Sequence, residues 1–278
     1  MNKTQALAAF DEYVSHYDTQ NPMIALKIAH TYRVASLAER IAKSLEQGEE
    51  ISDFAWLLGL LHDIGRFEQV RQYGTFMDAK SVDHAEFGAD LLFSDHLIDR
   101  FPAESLPEGW LQITETAIRL HNKLNLPDDL EGLTLTMAKI LRDADKIDIF
   151  RVVSELPYEQ RIGSSRGMLS ETDQVTPEVW DCVMGHRCVP RNVRRTVFDG
   201  YVGHCCMAFE LEFEESRKIA ARQGYLLKLL QEKGADGQVQ KDGSEFLTGA
   251  GRAARLETLD IVRTEIEKSW GIPLSGDN

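Results

Sequence analysis

The chain has 278 residues, 43% hydrophobic and 27% charged, with a formal net charge of −14 and a pI near 5.0. This acidity argues against a nucleic-acid-binding surface and against a polybasic contact with a membrane. No apolar run approaches the length of a membrane span, residues 1–10 lack the apolar core of a signal peptide, and the four cysteines do not indicate a disulfide framework. We therefore expect a cytoplasmic protein that binds neither nucleic acid nor membrane, and in which a metal or clustered basic residues would have to meet an anionic substrate.

The first long helix is predicted to begin at Asn21-Pro22, since Asn is a favoured N-cap and Pro is favoured at the first helical position. Apolar residues then recur at three- and four-residue steps to about Gln47, and His30 lies on this apolar face. A lone histidine in such a place is more often a core residue with an internal hydrogen bond than a metal ligand.

A second helix, residues 54–66, reads F-A-W-L-L-G-L-L-H-D-I-G-R and is apolar on every side, which is typical of a buried helix. Ser52 and Asp53 are expected to supply N-cap chemistry, and Gly65 is expected to end the helix. The last turn carries His62 and Asp63. Because a buried charge is costly, this doublet needs either an internal hydrogen-bond partner or a metal ion, and imidazole and carboxylate both suit a divalent ion.

Residues 67–80 read as a loop that leaves the end of the buried helix and could rim a pocket. Ser81 is expected to cap the next helix, residues 82–93. His84 and Gly88 share one face of that helix, so we expect His84 to point inward beside a close helix contact.

Two further helices are predicted over residues 109–123 and roughly 130–153, separated by a proline-containing turn. The apolar face of the first carries His121, and that of the second carries Asp145. Asp143 falls on another face and is expected to be solvated.

Five predicted helices thus each place an ionisable residue on their apolar side. Four histidines and two aspartates converging in this way are hard to explain as core packing. Three or four nitrogen and oxygen ligands without cysteine suit a transition metal with open positions, whereas six suit two metals. The candidate ligands are His30, His62, Asp63, His84, His121 and Asp145.

In their order along the chain, these residues resemble the HD superfamily of metal-dependent phosphohydrolases over about residues 22–151. The specific parts are the doublet in L-L-H-D-I-G-R and the later A-D-K-I-D. The resemblance implies an all-α, HD-domain-like helical bundle, here with additional C-terminal helices. It also implies that one metal ion is bound by His30, His62, Asp63 and Asp145.

The two further histidines, His84 and His121, resemble those of the two-metal branches of the superfamily, in which the doublet aspartate, here Asp63, bridges the ions. These branches include cyclic-di-nucleotide phosphodiesterases, dinucleoside-tetraphosphate hydrolases and a few di-iron oxygenases. Asn122 stands where the cyclic-di-nucleotide enzymes usually have a second histidine, and their Gly-Tyr-Pro signature is absent from the sequence. Both departures argue against the cyclic-di-nucleotide branch. The resemblance of His84 and His121 to the two-metal branches implies two divalent ions per chain, and it leaves Mn, Fe, Co and Zn open.

By this resemblance the protein is expected to be a hydrolase that cleaves a phosphoester or phosphoanhydride bond in a small phosphorylated substrate, a nucleotide above all. Asp63 and Arg66 are the expected catalytic residues, Asp63 by orienting the attacking water and Arg66 by steadying negative charge. Arg66, Lys80, Lys123 and Lys146 are the candidate phosphate contacts. An HD-type di-iron oxygenase and a non-catalytic nucleotide-binding regulator are the alternatives, although a regulator would be expected to have gaps in its ligand set.

We divide the chain into an HD-type metal-binding helical core (1–153), an irregular segment with helices that complete the body (154–233), and a linker with a C-terminal helix (234–278). Within the middle part, residues 201–223 are predicted to form one long helix. The C-terminal helix carries a single apolar stripe. That stripe could pack back on the body or form a homo-oligomer, and the sequence does not choose between the two.

Overall fold

The computed structural model describes residues 1–102, 106–155, 174–231 and 249–275. These ranges contain helices and no β-strand, so the all-α prediction is confirmed. They form two compact units, Met1–Asp145 and Lys146–Asn278. The three-part division of the sequence stays a prediction, and its linker lies outside the described residues.

In the described residues, the first unit has six α-helices and the first part of a seventh. They are α1 (Lys3–Ser15), α2 (Pro22–Lys43), α3 (Glu49–Leu61), α4 (Ile64–Tyr73), α5 (His84–Ala89), α6 (Trp110–Leu120) and α7 (Gly132–Glu155). A π-helical turn, Asp90–Ser94, continues α5. Apolar side chains from α1, α2, α3 and α4 fill the core of this unit, with Phe10, Leu57, Leu61 and Phe67 among the fully buried ones.

Helices α2 and α3 pack with their backbones close together. A Cβ atom on Gly59 of α3 would lie 2.6 Å from the Cα atom of Ala35 on α2, so only glycine fits there. The predicted start of α2 is confirmed, because the Asn21 side chain accepts a hydrogen bond from the Met23 amide at 2.9 Å. This close packing brings His30 on α2 next to His62, which follows the last residue of α3.

The structure divides the predicted helix over residues 54–66 into two. Helix α3 already begins at Glu49, after Gly48, and ends at Leu61, so the predicted N-cap at Ser52 and Asp53 is wrong. Helix α4 then starts at Ile64 and contains Gly65, which therefore does not end a helix. The actual stop is Gly74, which has a left-handed backbone (φ +63°) and donates its amide hydrogen to the Val70 carbonyl.

The loop predicted from residue 67 is consequently shorter than expected, because residues 67–73 belong to α4. Phe67 and Val70 are buried at a three-residue spacing, and this apolar stripe extends the helix beyond the doublet. The next N-cap is Asp83 rather than Ser81: its carboxylate accepts from the Ala85 and Glu86 amides at 3.0 and 3.3 Å, and α5 begins at His84.

The described residues of the second unit contain the end of α7 and five more α-helices: α8 (Pro177–Met184), α9 (Val197–Cys205), α10 (Glu214–Gln223), α11 (Tyr225–Leu230) and α12 (Gly249–Trp270). The long helix predicted over 201–223 is wrong, since a 3₁₀ turn, Cys206–Glu210, separates α9 from α10. The apolar stripe of α12 is buried, and the Trp270 indole donates to the Ala208 carbonyl at 3.0 Å. The C-terminal helix thus packs on its own unit, while the homo-oligomer stays a prediction.

Across the described ranges, no helix combines the length and the apolar composition needed to cross a membrane.

Candidate metal centre

The six predicted ligands meet in the first unit, around the junction between α3 and α4. The chain turns at the doublet, where His62 follows the end of α3 and Asp63 is the N-cap residue of α4. The four other side chains come from α2, from the first position of α5, from the residue after α6, and from α7. All but Asp145 are buried, and the Asp145 side chain is 15% exposed.

One oxygen of Asp63, Oδ2, faces the first group of side chains. His62 Nε2 lies 3.4 Å from this oxygen, and His30 Nε2 lies 3.5 Å from it. Asp145 completes the group, with its Oδ1 atom 3.1 Å from His30 Nε2 and 3.8 Å from His62 Nε2. Two imidazoles and two carboxylates therefore point their ligand atoms toward one another, as the ligands of a single ion do.

The other oxygen of Asp63, Oδ1, faces a second group. His84 Nε2 lies 3.7 Å and His121 Nε2 3.9 Å from this oxygen, and the two Nε2 atoms are 3.1 Å apart. Asp63 therefore presents one oxygen to each group of histidines. This is the arrangement that a carboxylate bridging two ions requires.

Three of the imidazoles are oriented through their Nδ1 atoms. Nδ1 of His62 lies 2.7 Å from the Gly59 carbonyl, and Nδ1 of His121 lies 2.6 Å from the Ile118 carbonyl. Because a carbonyl oxygen can only accept, each Nδ1 must donate, which leaves a lone pair on Nε2 directed into the site. His84 is oriented in the same way by the Asp78 carboxylate, at 2.7 Å.

These donors fit a divalent metal. Nε2 of His62 is buried and makes no hydrogen bond among the described residues. The Nε2 atoms of His84 and His121 face each other with lone pairs, an arrangement that a cation stabilises. Two nitrogens about 2.0–2.1 Å from one tetrahedral zinc would lie roughly 3.3 Å apart, which is close to the observed separation.

The local electrostatics favour the protonation states that metal ligands need. Burial acts to raise the pKa of Asp63, but the Lys27 ammonium and the His62 imidazole hold this pKa well below its usual range. Burial likewise opposes ionisation of Asp145, yet its hydrogen bond and charge interaction with His30 keep its pKa low. Burial, together with neighbouring imidazoles, lowers the pKa of His121 to about 3. At neutral pH the carboxylates are therefore ionised and His121 is neutral.

Arg66, which we predicted to steady negative charge, lies beside Asp63, with its Nε atom 3.6 Å from Oδ1. Its Nη1 atom is shared among three acceptors: Gln69 Oε1 at 2.8 Å, the Phe76 carbonyl at 2.8 Å and Asp78 Oδ1 at 2.9 Å. Arg66 therefore ties the loop that follows α4 to the helix. A direct role with substrate remains a prediction.

The three predicted lysines have different surroundings. Lys80 is exposed in the loop between α4 and α5. Lys123 pairs with Asp83 at 2.8 Å and with Glu86 at 3.1 Å. Lys146 pairs with Glu210 at 3.2 Å, in the second unit. The observed partners of the last two are carboxylates outside the six-residue set, and their assignment to phosphate stays a prediction.

Two further residues of the site were missed in the sequence. One is Asp78, whose carboxylate accepts hydrogen bonds from His84 Nδ1, from Arg66 Nη1 and, at 3.0 Å, from Gln69 Nε2. The other is Lys27, whose Nζ atom lies 2.5 Å from Asp63 Oδ2. Its position one helical turn before His30 was the signal that could have revealed it. No comparable pattern marks Asp78, because it lies in a loop.

Comparison with protein families matches the HD domain over residues 28–149. This range includes all six residues of the site. Comparisons with curated proteins and with solved structures gave no match. HD domains bind divalent metals and characterise a superfamily consisting mostly of metal-dependent hydrolases. The matched range, the all-α fold and the clustered histidines and aspartates together establish that residues 28–149 of this chain are an HD domain.

Proposed function

We propose that this protein is a two-metal phosphohydrolase that cleaves a phosphoester or phosphoanhydride bond in a small phosphorylated substrate, most readily a nucleotide. The observation that carries the proposal is the division of Asp63 between two groups of ligands. Its Oδ2 atom faces His30 and His62, and its Oδ1 atom faces His84 and His121. A binuclear centre of this kind suits displacement at phosphorus, because both the attacking and the leaving oxygen need charge stabilisation.

Divalent ions held by these residues would supply Lewis acidity and an activated water. The chain itself supplies the orientation. The Gly59 and Ile118 carbonyls and the Asp78 carboxylate hold three of the imidazoles through Nδ1, which supports Nε2 as the ligand atom of each. Asp63 carries the charge that would hold two ions close together, and its position as a helix N-cap residue fixes where that charge lies.

Local positive charge supports an anionic substrate. The chain as a whole carries a net charge of −14, which would repel a phosphorylated molecule. Beside Asp63, however, the structure has Lys27 and Arg66, with side chains 14% and 12% exposed. Cations in such a position can offset the charge of a phosphate group that enters the site.

The test is a phosphatase assay with nucleoside mono-, di- and triphosphates, cyclic nucleotides and dinucleoside polyphosphates, each with Mn²⁺, Fe²⁺ or Co²⁺. We expect metal-dependent release of phosphate or a nucleotide by the parent, loss of this activity in Asp63→Asn, and retention in Asp99→Asn, which alters an exposed aspartate. Absence of turnover with every metal would contradict the proposal. Oxygen uptake by the iron-loaded protein would identify an oxygenase instead, and nucleotide binding without product would identify a regulator.

A further inference from the structure

Lys27 occupies a particular place in the site. It lies on α2, one turn before His30, and its ammonium contacts Asp63 Oδ2 at 2.5 Å. This is the oxygen that also faces His62 Nε2, at 3.4 Å. The ammonium and a metal ion in the first group would thus share one carboxylate oxygen. Because two cations repel each other, binding of the ion weakens the contact between Lys27 and Asp63.

Lys27 also differs from the other cation beside Asp63. The guanidinium of Arg66 is engaged with Gln69 on α4 and with Phe76 and Asp78 in the loop after it. Among the described residues, Asp63 is the only carboxylate paired with Lys27. A lysine that loses this partner keeps a flexible four-carbon stem and three donors, and it can reorient toward a new anion without disturbing the loop.

The surroundings of Lys27 favour an anion next to the first group. Its Nζ atom lies 5.6 Å from the centre of the Phe76 ring, and the Arg66 guanidinium carbon lies 5.5 Å from the same centre. Phe76 is partly buried in the loop after α4. The ammonium therefore contacts a carboxylate that the ion would also bind, and it lies near the Phe76 ring face, which is only a weak acceptor.

We propose that Lys27 exchanges partners when the site is loaded: it neutralises Asp63 in the metal-free protein and contacts the phosphate of the substrate in the metal-bound protein. This inference rests on the proposed function and extends it by naming the residue that binds the transferred or leaving phosphate. It predicts two effects of opposite sign when the ammonium is removed. Metal should bind more tightly, because a competing cation is gone, and phosphate should bind more weakly.

The test uses the full chain with Lys27→Met and Lys27→Gln as neutral variants and Lys27→Arg as the charge-conserving variant. Lys43→Met is the matched control, since Lys43 lies on the same helix and pairs with Glu39 on the exposed surface. Circular dichroism and thermal denaturation select the neutral variant that remains folded. Mn²⁺ affinity is then measured on chelator-treated protein by competition with a chromophoric chelator. We expect each folded neutral variant to bind the ion of the first group about tenfold more strongly than the parent, and the control to match the parent.

Inorganic phosphate is the second probe, titrated calorimetrically into Mn²⁺-loaded protein. We expect its affinity to fall about tenfold or more in the neutral variants, to be partly restored in Lys27→Arg, and to be unchanged in Lys43→Met. A purely structural role would weaken metal and phosphate binding together, and an inert residue would change neither. Either result overturns the proposal, as does a loaded parent that binds no phosphate.

The same variants separate this inference from the proposed function. If the parent hydrolyses phosphorylated substrates but its phosphate affinity does not depend on Lys27, the inference alone fails. If phosphate affinity depends on Lys27 in the expected way but no substrate is hydrolysed, the proposed function fails and the anion site remains.

Discussion

His84 and His121 face each other with their Nε2 atoms 3.1 Å apart, while each ring donates its Nδ1 proton elsewhere. Neither Nε2 has a proton to give the other, so the pair is arranged for a cation. We expect His84→Ala and His121→Ala each to lower the metal content from about two ions per chain to about one, with the first group still occupied. Elemental analysis measures this, with His96→Ala at an exposed position as the control. One ion in the parent, or unchanged content in both variants, would contradict a two-metal site.

Replacement of Asp63 should have a wider effect. Because its two oxygens face different groups of histidines, Asp63→Ala removes a ligand and a negative charge from both. We expect both ions to be lost at metal concentrations that saturate the parent, while the helical signal in circular dichroism is retained. Asp99→Ala, at an exposed aspartate, is the control. A variant that keeps one ion at parental affinity would show that Asp63 does not bridge.

Substitution of Asp78 should weaken the binding of the second ion only. Its Oδ2 atom accepts a hydrogen bond from His84 Nδ1, and its Oδ1 atom accepts hydrogen bonds from Arg66 Nη1 and Gln69 Nε2. In Asp78→Asn the amide can present a donor to His84 in place of an acceptor, so the imidazole loses the partner that directs its Nε2 lone pair into the site. We expect the second ion to bind about 10–100-fold more weakly. Titration of Mn²⁺ into the chelator-treated variant provides its own control, because the first ion should bind as in the parent.

The sequence predicted which side chains lie together better than it predicted the bounds of the helices that carry them, and their role as metal ligands stays a prediction. The cap at Asn21 and the doublet His62-Asp63 are local signals, and the structure has them where they were expected. Gly65 was expected to end a helix because glycine is common at helix C-termini. It lies inside α4 instead, and glycine is required there because the backbone of α5 leaves no room for a Cβ atom. Asp143 was expected to be solvated and is fully buried. Its burial depends on neighbours that lie far away in sequence, which helical periodicity does not show.

Acid should destabilise the metal-free protein. In the folded chain the pKa of His121 is lowered to about 3, from an ordinary value of 6.5. Between these two pH values the unfolded chain takes up a proton that the folded chain excludes, so the free energy of unfolding falls as the pH is lowered through this window. The lowered pKa values of Asp63 and Asp145 act in the same direction at more acidic pH.

Urea denaturation of chelator-treated protein at about pH 7.5, 6.0 and 5.0 measures this dependence. We expect the parent to lose stability steadily from the highest to the lowest pH. The dependence should be shallower in His121→Asn, whose side chain does not titrate. A parent whose stability is constant or increases on acidification, or a variant with the same dependence as the parent, would contradict this assignment.

The close packing of Gly65 against Gly88 should affect both the stability of the protein and the binding of the ion in the second group. A Cβ atom on Gly65 would lie 2.6 Å from the Gly88 amide nitrogen and 2.7 Å from the His84 carbonyl oxygen, and both are backbone atoms that cannot rotate away. A Cβ atom on Gly88 would meet the Gly65 amide nitrogen at 3.1 Å, which a small shift relieves. We expect Gly65→Ala to cost about 3 kcal/mol of stability and Gly88→Ala about 1 kcal/mol. The clash of Gly65→Ala would displace His84, the first residue of α5. This substitution should therefore also weaken binding of the second ion more than binding of the first. Denaturation of the chelator-treated variants and Mn²⁺ titration test both effects, and equal destabilisation by the two substitutions would show that the helices can separate without strain.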